Sequence, residues 1–421
     1  METLELLIRN TSEVLTVEGS HLEPAERALT PQPNACVGVR RGKVWYVGSE
    51  GSLPKGAVGP STRVLDAHGQ FVGPGFVDPH THAVFAGERA AEFDLRCQGA
   101  TYLQIAQAGG GIANTVRATR FANEEDLIRL ALPRLQLMLE YGITTAEVKS
   151  GYGLSLQDEL KMLKVVQRLS TLQPLELIPT LMCAHAVPEE YREWREAYMD
   201  LCIKEIIPTV AEQGLARFCD IFVEEGAFSH AEARRILGAA KKLGLKPRLH
   251  VDQLTAGGGA ELAAELGAAT ADHLEHVSDA GIRALAEAGV SAVLVPTATL
   301  FLRVRPYAPG RKLRDAGVNV ALGTNLNPGS AMSENLPIAL GLACLENGLT
   351  AAEAYWAATR GAALALGLNT YGRITVGDPA NIVVFSCSNY RHLPYHLGIN
   401  HARIVIKDGH VVIENERALC P

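Results

Sequence analysis

The segment GPGFVDPHTH, residues 73–82, ends a short apolar run with histidines at 80 and 82. Alternate residues of an extended chain point to one side, so His80 and His82 can aim two imidazoles at one point. Neutral imidazole is the commonest metal ligand among side chains, and the chemistry this offers is capture of a divalent metal. An H-x-H alone is as readily a pair of surface histidines, so its position has to decide. Two further histidines close apolar runs, His250 in LKPRLHV and His273 in AATADHLEH, and His185 follows another in TLMCAH. Each singly fits a core histidine bonded to backbone. His80, His82, His250 and His273, four histidines at three such ends, are hard to explain as packing.

The elements that must position them are legible as a pattern. Short apolar runs near 76–78, 143–148, 175–182, 219–224, 247–251, 269–272, 291–296 and 318–323 alternate with stretches of 3.6-residue periodicity. That alternation is the signature of βα units around a parallel sheet. The fold expected is α/β, a (β/α)8 TIM-type barrel over 71–369, with the histidines at the C-terminal strand ends where such barrels keep their active sites. Ser155 with Asp158, Ser229 with Glu232 and Thr350 with Glu353 carry the spacing of helix starts. Residues 1–70 and 370–421 instead hold short β-type runs between Gly and Pro signals, including an Asp408-Gly409 hairpin turn. These two segments are expected to pair into one small β-sandwich domain built from both termini.

Composition excludes several classes. The chain has 421 residues, 20% charged and 47% hydrophobic, the balance of an ordinary globular protein. A net charge of -7 gives no general attraction to nucleic acid or to an acidic membrane surface. The 8 cysteines contain no C-x-x-C pair, which predicts free thiols and a cytoplasmic location. The start METLELLIRN lacks the basic and apolar regions of a signal peptide. The longest apolar stretch, residues 290–302, falls short of the roughly 20 residues that span a bilayer.

Longer motifs carry a resemblance: GPGFVDPHTHAVFAGER at 73–89, GATYLQIAQAGGGI at 99–112, EVKSGYGL at 147–154, CAHAVP at 183–188, ADHLEH at 271–276, LNPGS at 326–330 and PYHLGINH at 394–401. With them the chain resembles the amidohydrolase superfamily, metal-dependent hydrolases on a barrel with a small β domain. The H-x-H marks only the superfamily. GATY with AGGGI, KSGYGL and LNPGS narrow the likeness to a branch that opens a cyclic amide, converting 4-imidazolone-5-propanoate and water to N-formimidoyl-L-glutamate in histidine degradation.

The resemblance implies one divalent metal per chain, zinc or iron, held by His80, His82, His250 and an acid after strand eight. At that last position the chain reads GTNLNPG and offers Asn325, whose amide oxygen can coordinate a hard cation but cannot take up a proton at neutral pH. His273 is implied as the partner of the attacking water, with His185 a further catalytic candidate that also reaches substrate. The other implied substrate contacts are Arg89, Tyr102, Tyr152, Gln253, Asn327, Gly329 and Ser330. Arg89 suits a propionate tail, because a guanidinium fork binds carboxylate through two parallel hydrogen bonds; its bland alternative is a surface arginine paired with Glu88. Asp252, beside Gln253, should point away if the strand alternates. The Gly109 to Gly111 run lacks the Lys-Ser/Thr of a phosphate-binding loop. A homodimer is implied by the likeness alone. A nucleobase-type deaminase and a catalytically impaired relative are the rival readings, the second resting on Asn325.

Overall fold

The computed structural model describes residues 3–99 and 110–415. Ahead of the barrel lie β1 (Leu6–Leu15), β2 (Pro31–Pro33), β3 (Ala35–Arg40), β4 (Lys43–Ser49) and β5 (Arg63–Pro74). The barrel strands are β6 (Phe76–Asp78), β7 (Ile143–Lys149), β8 (Glu176–Ala184), β9 (Phe218–Val223), β10 (Lys246–Val251), β11 (Thr270–His273), β12 (Ser291–Leu294) and β13 (Val320–Leu322). The chain then returns through β14 (Ile382–Phe385), β15 (Ala402–Lys407) and β16 (His410–Glu414).

Strands β6 to β13 pair in sequence order and every pair is parallel. All eight expected runs are therefore barrel strands, buried outside by the surrounding helices and inside by one another's side chains, which is why they read as near-continuous apolar runs. The seam between β13 and β6 has no strand ladder and is closed by single bonds. Thr324 Oγ1 donates to Asp78 Oδ2 at 2.6 Å, the Asn325 N–H to the His80 carbonyl at 3.0 Å, and the His82 N–H to the Leu326 carbonyl at 2.9 Å. Burial pushes the Asp78 carboxyl up to about 7 even with these donors around it.

The expected helix starts are real. Ser155 accepts from the Asp158 N–H, and Ser229 with Glu232 and Thr350 with Glu353 form reciprocal capping boxes. Glu232 also takes an ion pair from Arg195. Burial raises its pKa, but the bonds from Arg195 and Ser229 outweigh this and hold the carboxyl down at about 2. Its stabilising contribution is thus complete above its ordinary value near 4.5 and is lost as pH falls through about 2. Glu232→Gln should cost about 1–2 kcal/mol of unfolding free energy at neutral pH. The gap between the two denaturation curves should narrow below about pH 4; a gap independent of pH would show that the cost is packing alone.

The terminal strands form one hydrogen-bonded sheet in the order β16-β15-β14-β5-β1-β3-β4, with β2 on β1. Its pairs are antiparallel except the parallel β1–β5 pair. Val44 N–H donates to the Asp378 carbonyl and Gly377 N–H to the Val44 carbonyl, so β4 is tied to the chain leading into β14 and the sheet curls around its own core. Ile8, Val37, Val39, Val72, Ile382, Val384 and Ile406 fill that core. Asp408 and Gly409, at φ 48° and 80°, make the expected hairpin turn. Strand β5 runs to Pro74, four residues past the boundary read from the pattern. A Cβ on Gly75 would lie 2.3 Å from Thr144 Cγ2, so only glycine lets the chain pass from sheet to barrel there. The division into a terminal β domain, ending near Gly75 and resuming near 370, and a barrel between is proposed on this basis. No described helix is long and apolar enough to cross a membrane.

Candidate active site

Four imidazoles converge above the barrel. His80 and His82 follow β6, His250 lies near the end of β10 and His273 ends β11. The His80 ring centroid is 5.6 Å from His82, 4.5 Å from His250 and 5.5 Å from His273. One ring nitrogen each of His80, His82 and His250 lies within 4.8 Å of the others, and all three residues are buried. His80 Nε2, His82 Nδ1 and His250 Nε2 have no hydrogen-bond partner. Burial pushes the pKa of each well down, reinforced at His80 chiefly by the Lys149 charge and at His82 by His185. Neutral rings with orphaned nitrogens facing one point fit a divalent metal, since a buried polar atom otherwise needs a partner.

The rings are aimed by an ionic layer that the sequence reading did not single out. His80 Nδ1 donates to Asp272 Oδ2 at 2.6 Å and His250 Nδ1 to Asp220 Oδ1 at 3.0 Å, which presents Nε2 of both rings to the centre. Arg248 Nη2 donates to Asp272 Oδ2 at 2.8 Å and to the Pro79 carbonyl at 2.7 Å. Lys149 Nζ donates to Glu147 Oε1 and to Asp220 Oδ2, each at 2.8 Å. Burial pushes the Glu147 and Asp220 carboxyls up, whereas the Arg248 and Lys149 charges overcome burial at Asp272 and bring it down. A signal was present: Glu147 and Lys149, and Arg248 and His250, are i, i+2 pairs within apolar strands. Each pair therefore shares the face that looks into the barrel.

Asn325 is buried, at φ 57°, with its backbone bonded to His80 and its Nδ2 donating to Ser330 Oγ at 3.2 Å. His273, also at positive φ, has an unpartnered Nδ1 lying 3.7 Å from Glu275 Oε1, which accepts from Thr299 Oγ1. His185 stacks on His82 with centroids 5.1 Å apart and meets the Tyr152 ring at 5.3 Å. Its Nδ1 contacts the Gly151 carbonyl at 3.0 Å, and burial lowers its pKa to about 4. Burial raises the Tyr152 phenol, against the opposing pull of the Arg89 charge.

Arg89 does not pair with Glu88, whose carboxylate instead accepts the Ala90 N–H. Its guanidinium is held by Glu92 at 2.7 Å, and Glu92 Oε1 also takes the Gly111 N–H. A Cβ on Gly329 would fall 2.1 Å from Arg89 Nη1, so the absence of a side chain at 329 is what admits the guanidinium. Asn327 Oδ1 accepts from the N–H groups of Gly329 and Ser330, both at 2.8 Å, and its Nδ2 donates to the Asn325 carbonyl and to Ser330 Oγ. The LNPGS loop is therefore a self-bonded unit bracing Asn325 and Arg89. Gln253 is half-buried, and its loop is pinned by Glu224, which accepts from the Gln253 and Leu254 N–H groups and the Thr255 hydroxyl. The Asp252 carboxylate points away from the site, as expected, accepting the N–H groups of Gly257, Gly259 and Ala260. Tyr102 lies outside the described residues.

The barrel and its histidine centre define a class of protein: residues 112–413 match the Amidohydrolase family, and the chain belongs to it. Solved structures share the fold, among them the 5-methylcytosine deaminase from Klebsiella pneumoniae, with TM-score 0.75 and 17% identity, covering 99% of both chains. A triazine hydrolase variant aligns with TM-score 0.75 at 19% identity, over 99% of this chain and 96% of its own. Within the class, the chain is 71% identical over 420 residues to the imidazolonepropionase of Myxococcus xanthus (strain DK1622), with 100% of both covered. It is 50% identical over 414 residues to the imidazolonepropionase of Anaeromyxobacter dehalogenans (strain 2CP-1 / ATCC BAA-258), covering 98% of this chain and 97% of that one. It belongs to the imidazolonepropionase family.

Proposed function

We propose that this chain hydrolyses the ring amide of 4-imidazolone-5-propanoate to N-formimidoyl-L-glutamate, using one divalent metal, zinc or iron, held by His80, His82, His250 and the amide oxygen of Asn325. The observation that carries this is the set of three buried, unpartnered ring nitrogens converging at one point near a guanidinium held by Glu92. When bound, the metal supplies a Lewis acid for the carbonyl and lowers the pKa of the water. Water adds to the ring carbonyl and the C–N bond breaks, so one proton leaves the water and one reaches the departing nitrogen. His273 is the group in this proposal that carries it through Nε2, since its Nδ1 is turned towards Glu275 Oε1, 3.7 Å away. His185 and Tyr152 line the ring side of the substrate. Gln253, Asn327, Gly329 and Ser330 complete its wall, the last three by bracing. A cytoplasmic location and a homodimer belong to the same proposal. Turnover of synthetic imidazolonepropionate, with guanine and cytosine as controls, tests it; deamination of either base with no ring opening would replace it. A nucleobase has no carboxylate for Arg89.

Arg89 offers a sharper check. Arg89→Met should raise KM by about 10- to 100-fold, because a desolvated carboxylate loses its fork, with metal content unchanged. Gly329→Ala should do much the same, since its methyl group takes the space of Nη1. An unchanged KM in both variants would remove Arg89 from the site.

A further inference from the structure

The ionic layer beneath the histidines brings together a second group of side chains with the chemistry of cation ligands. Oxygen atoms of Asp220 and Asp272 and a ring nitrogen of His250 lie within 4.8 Å of one another, all buried. Asp272 Oδ1 is fully buried and has no hydrogen-bond partner. Carboxylates grouped in this way suit a divalent cation with oxygen ligands. The space between them holds an ammonium instead: Lys149 Nζ lies 2.8 Å from Glu147 Oε1, 2.8 Å from Asp220 Oδ2 and 3.8 Å from Asp272 Oδ2. Arg248 supplies the other positive charge, 2.8 Å from Asp272 Oδ2 and 3.9 Å from Asp220 Oδ2. The three carboxylates thus face two cations, one charge short of balance, in a layer with no exposed side-chain surface.

We infer that Lys149 Nζ occupies the position of a second divalent cation among Glu147, Asp220 and Asp272, and that this ammonium is what limits the centre to a single metal. The inference rests on the reading that His80, His82 and His250 hold one metal. An ammonium is a compact charge with three donors, so it satisfies two carboxylates at once without demanding a coordination shell. Removing its charge leaves three buried carboxylates facing one guanidinium. That doubles the shortfall of positive charge in a dry layer, so a cation must replace the ammonium or protons must neutralise the acids. Glu147, Asp220 and Asp272 already converge on the vacated point, which favours the cation.

The test uses the full chain loaded with zinc and then equilibrated with Mn2+, with bound manganese read from the loss of the free-ion EPR signal and zinc by elemental analysis. Wild type should hold one zinc and take up no tightly bound manganese. Lys149→Met should hold its zinc and take up one manganese, whereas Lys149→Arg, which keeps the charge, should behave as wild type. Lys149→Met with no manganese uptake overturns the inference, the acids having taken protons instead. Failure of Lys149→Met to fold even with manganese in the growth and purification media overturns it as well, because a cation able to take the position would have balanced the charge. Wild type that retains no zinc would instead overturn the three-histidine metal site, leaving a distinct result.

Discussion

His80→Ala is expected to lose both the metal and turnover, the largest single effect in the chain. His80 is tied to three things at once. Its Nε2 is one of the converging unpartnered nitrogens, its Nδ1 holds Asp272, and its carbonyl accepts the N–H of Asn325 across the barrel seam. Removing the ring therefore takes away one ligand and leaves the Asp272 carboxylate short of a donor. With a Lewis acid worth several kcal/mol of barrier, kcat should fall by several orders of magnitude. Elemental analysis of purified protein should show near-stoichiometric zinc or iron in wild type and little in the variant. Circular dichroism distinguishes this from unfolding, since the strand ladders do not depend on the ring. Full metal content in a His80, His82, His250 triple alanine variant would refute the assignment.

The second large effect concerns Asn325. Proton accounting requires a group that accepts from the water and returns to the leaving nitrogen, and a carboxamide does neither. His273 is placed for the task, with its ring centroid 5.5 Å from that of His80 and its Nδ1 turned towards the Glu275 carboxylate, which leaves Nε2 for the proton. Positioned acid/base groups contribute about 10²- to 10⁴-fold, so His273→Asn should lower kcat within that span in the chain as it stands. Asn325→Asp should restore much of that loss in the His273→Asn background. In the parent chain it should raise kcat only as far as His273 falls short. The backbone around 325 is held by the seam and by Ser330, so the exchange should leave the fold unchanged. Full activity in His273→Asn with Asn325 retained would move the base elsewhere.

Much of this was legible in local pattern. A strand buried on both faces must be apolar along its length, and a helix start must satisfy its orphan donors, so the eight βα units and the capped helices follow from neighbours in sequence. The Asp408-Gly409 turn is equally local, because both residues tolerate positive φ. The far end of β5 was less legible, since its last residues read as the approach to the barrel until pairing with β14 made them sheet.

The groups able to do chemistry can be read off the chain: His80, His82, His250 and His273 at strand ends, Arg89 just past the first, and Asn325 where an acid is expected. Their surroundings come from folding alone. The ring orientations depend on Asp272, 192 residues from His80, and on Asp220, 30 residues from His250 on the adjacent strand, and the guanidinium of Arg89 depends on the bare backbone of Gly329. Lys149, Glu147 and Arg248 look in sequence like charges misplaced in apolar strands. They become one neutralising layer only when the barrel closes and removes water, because the strength of each ion pair, and the cost of leaving any member unpaired, is set by that exclusion.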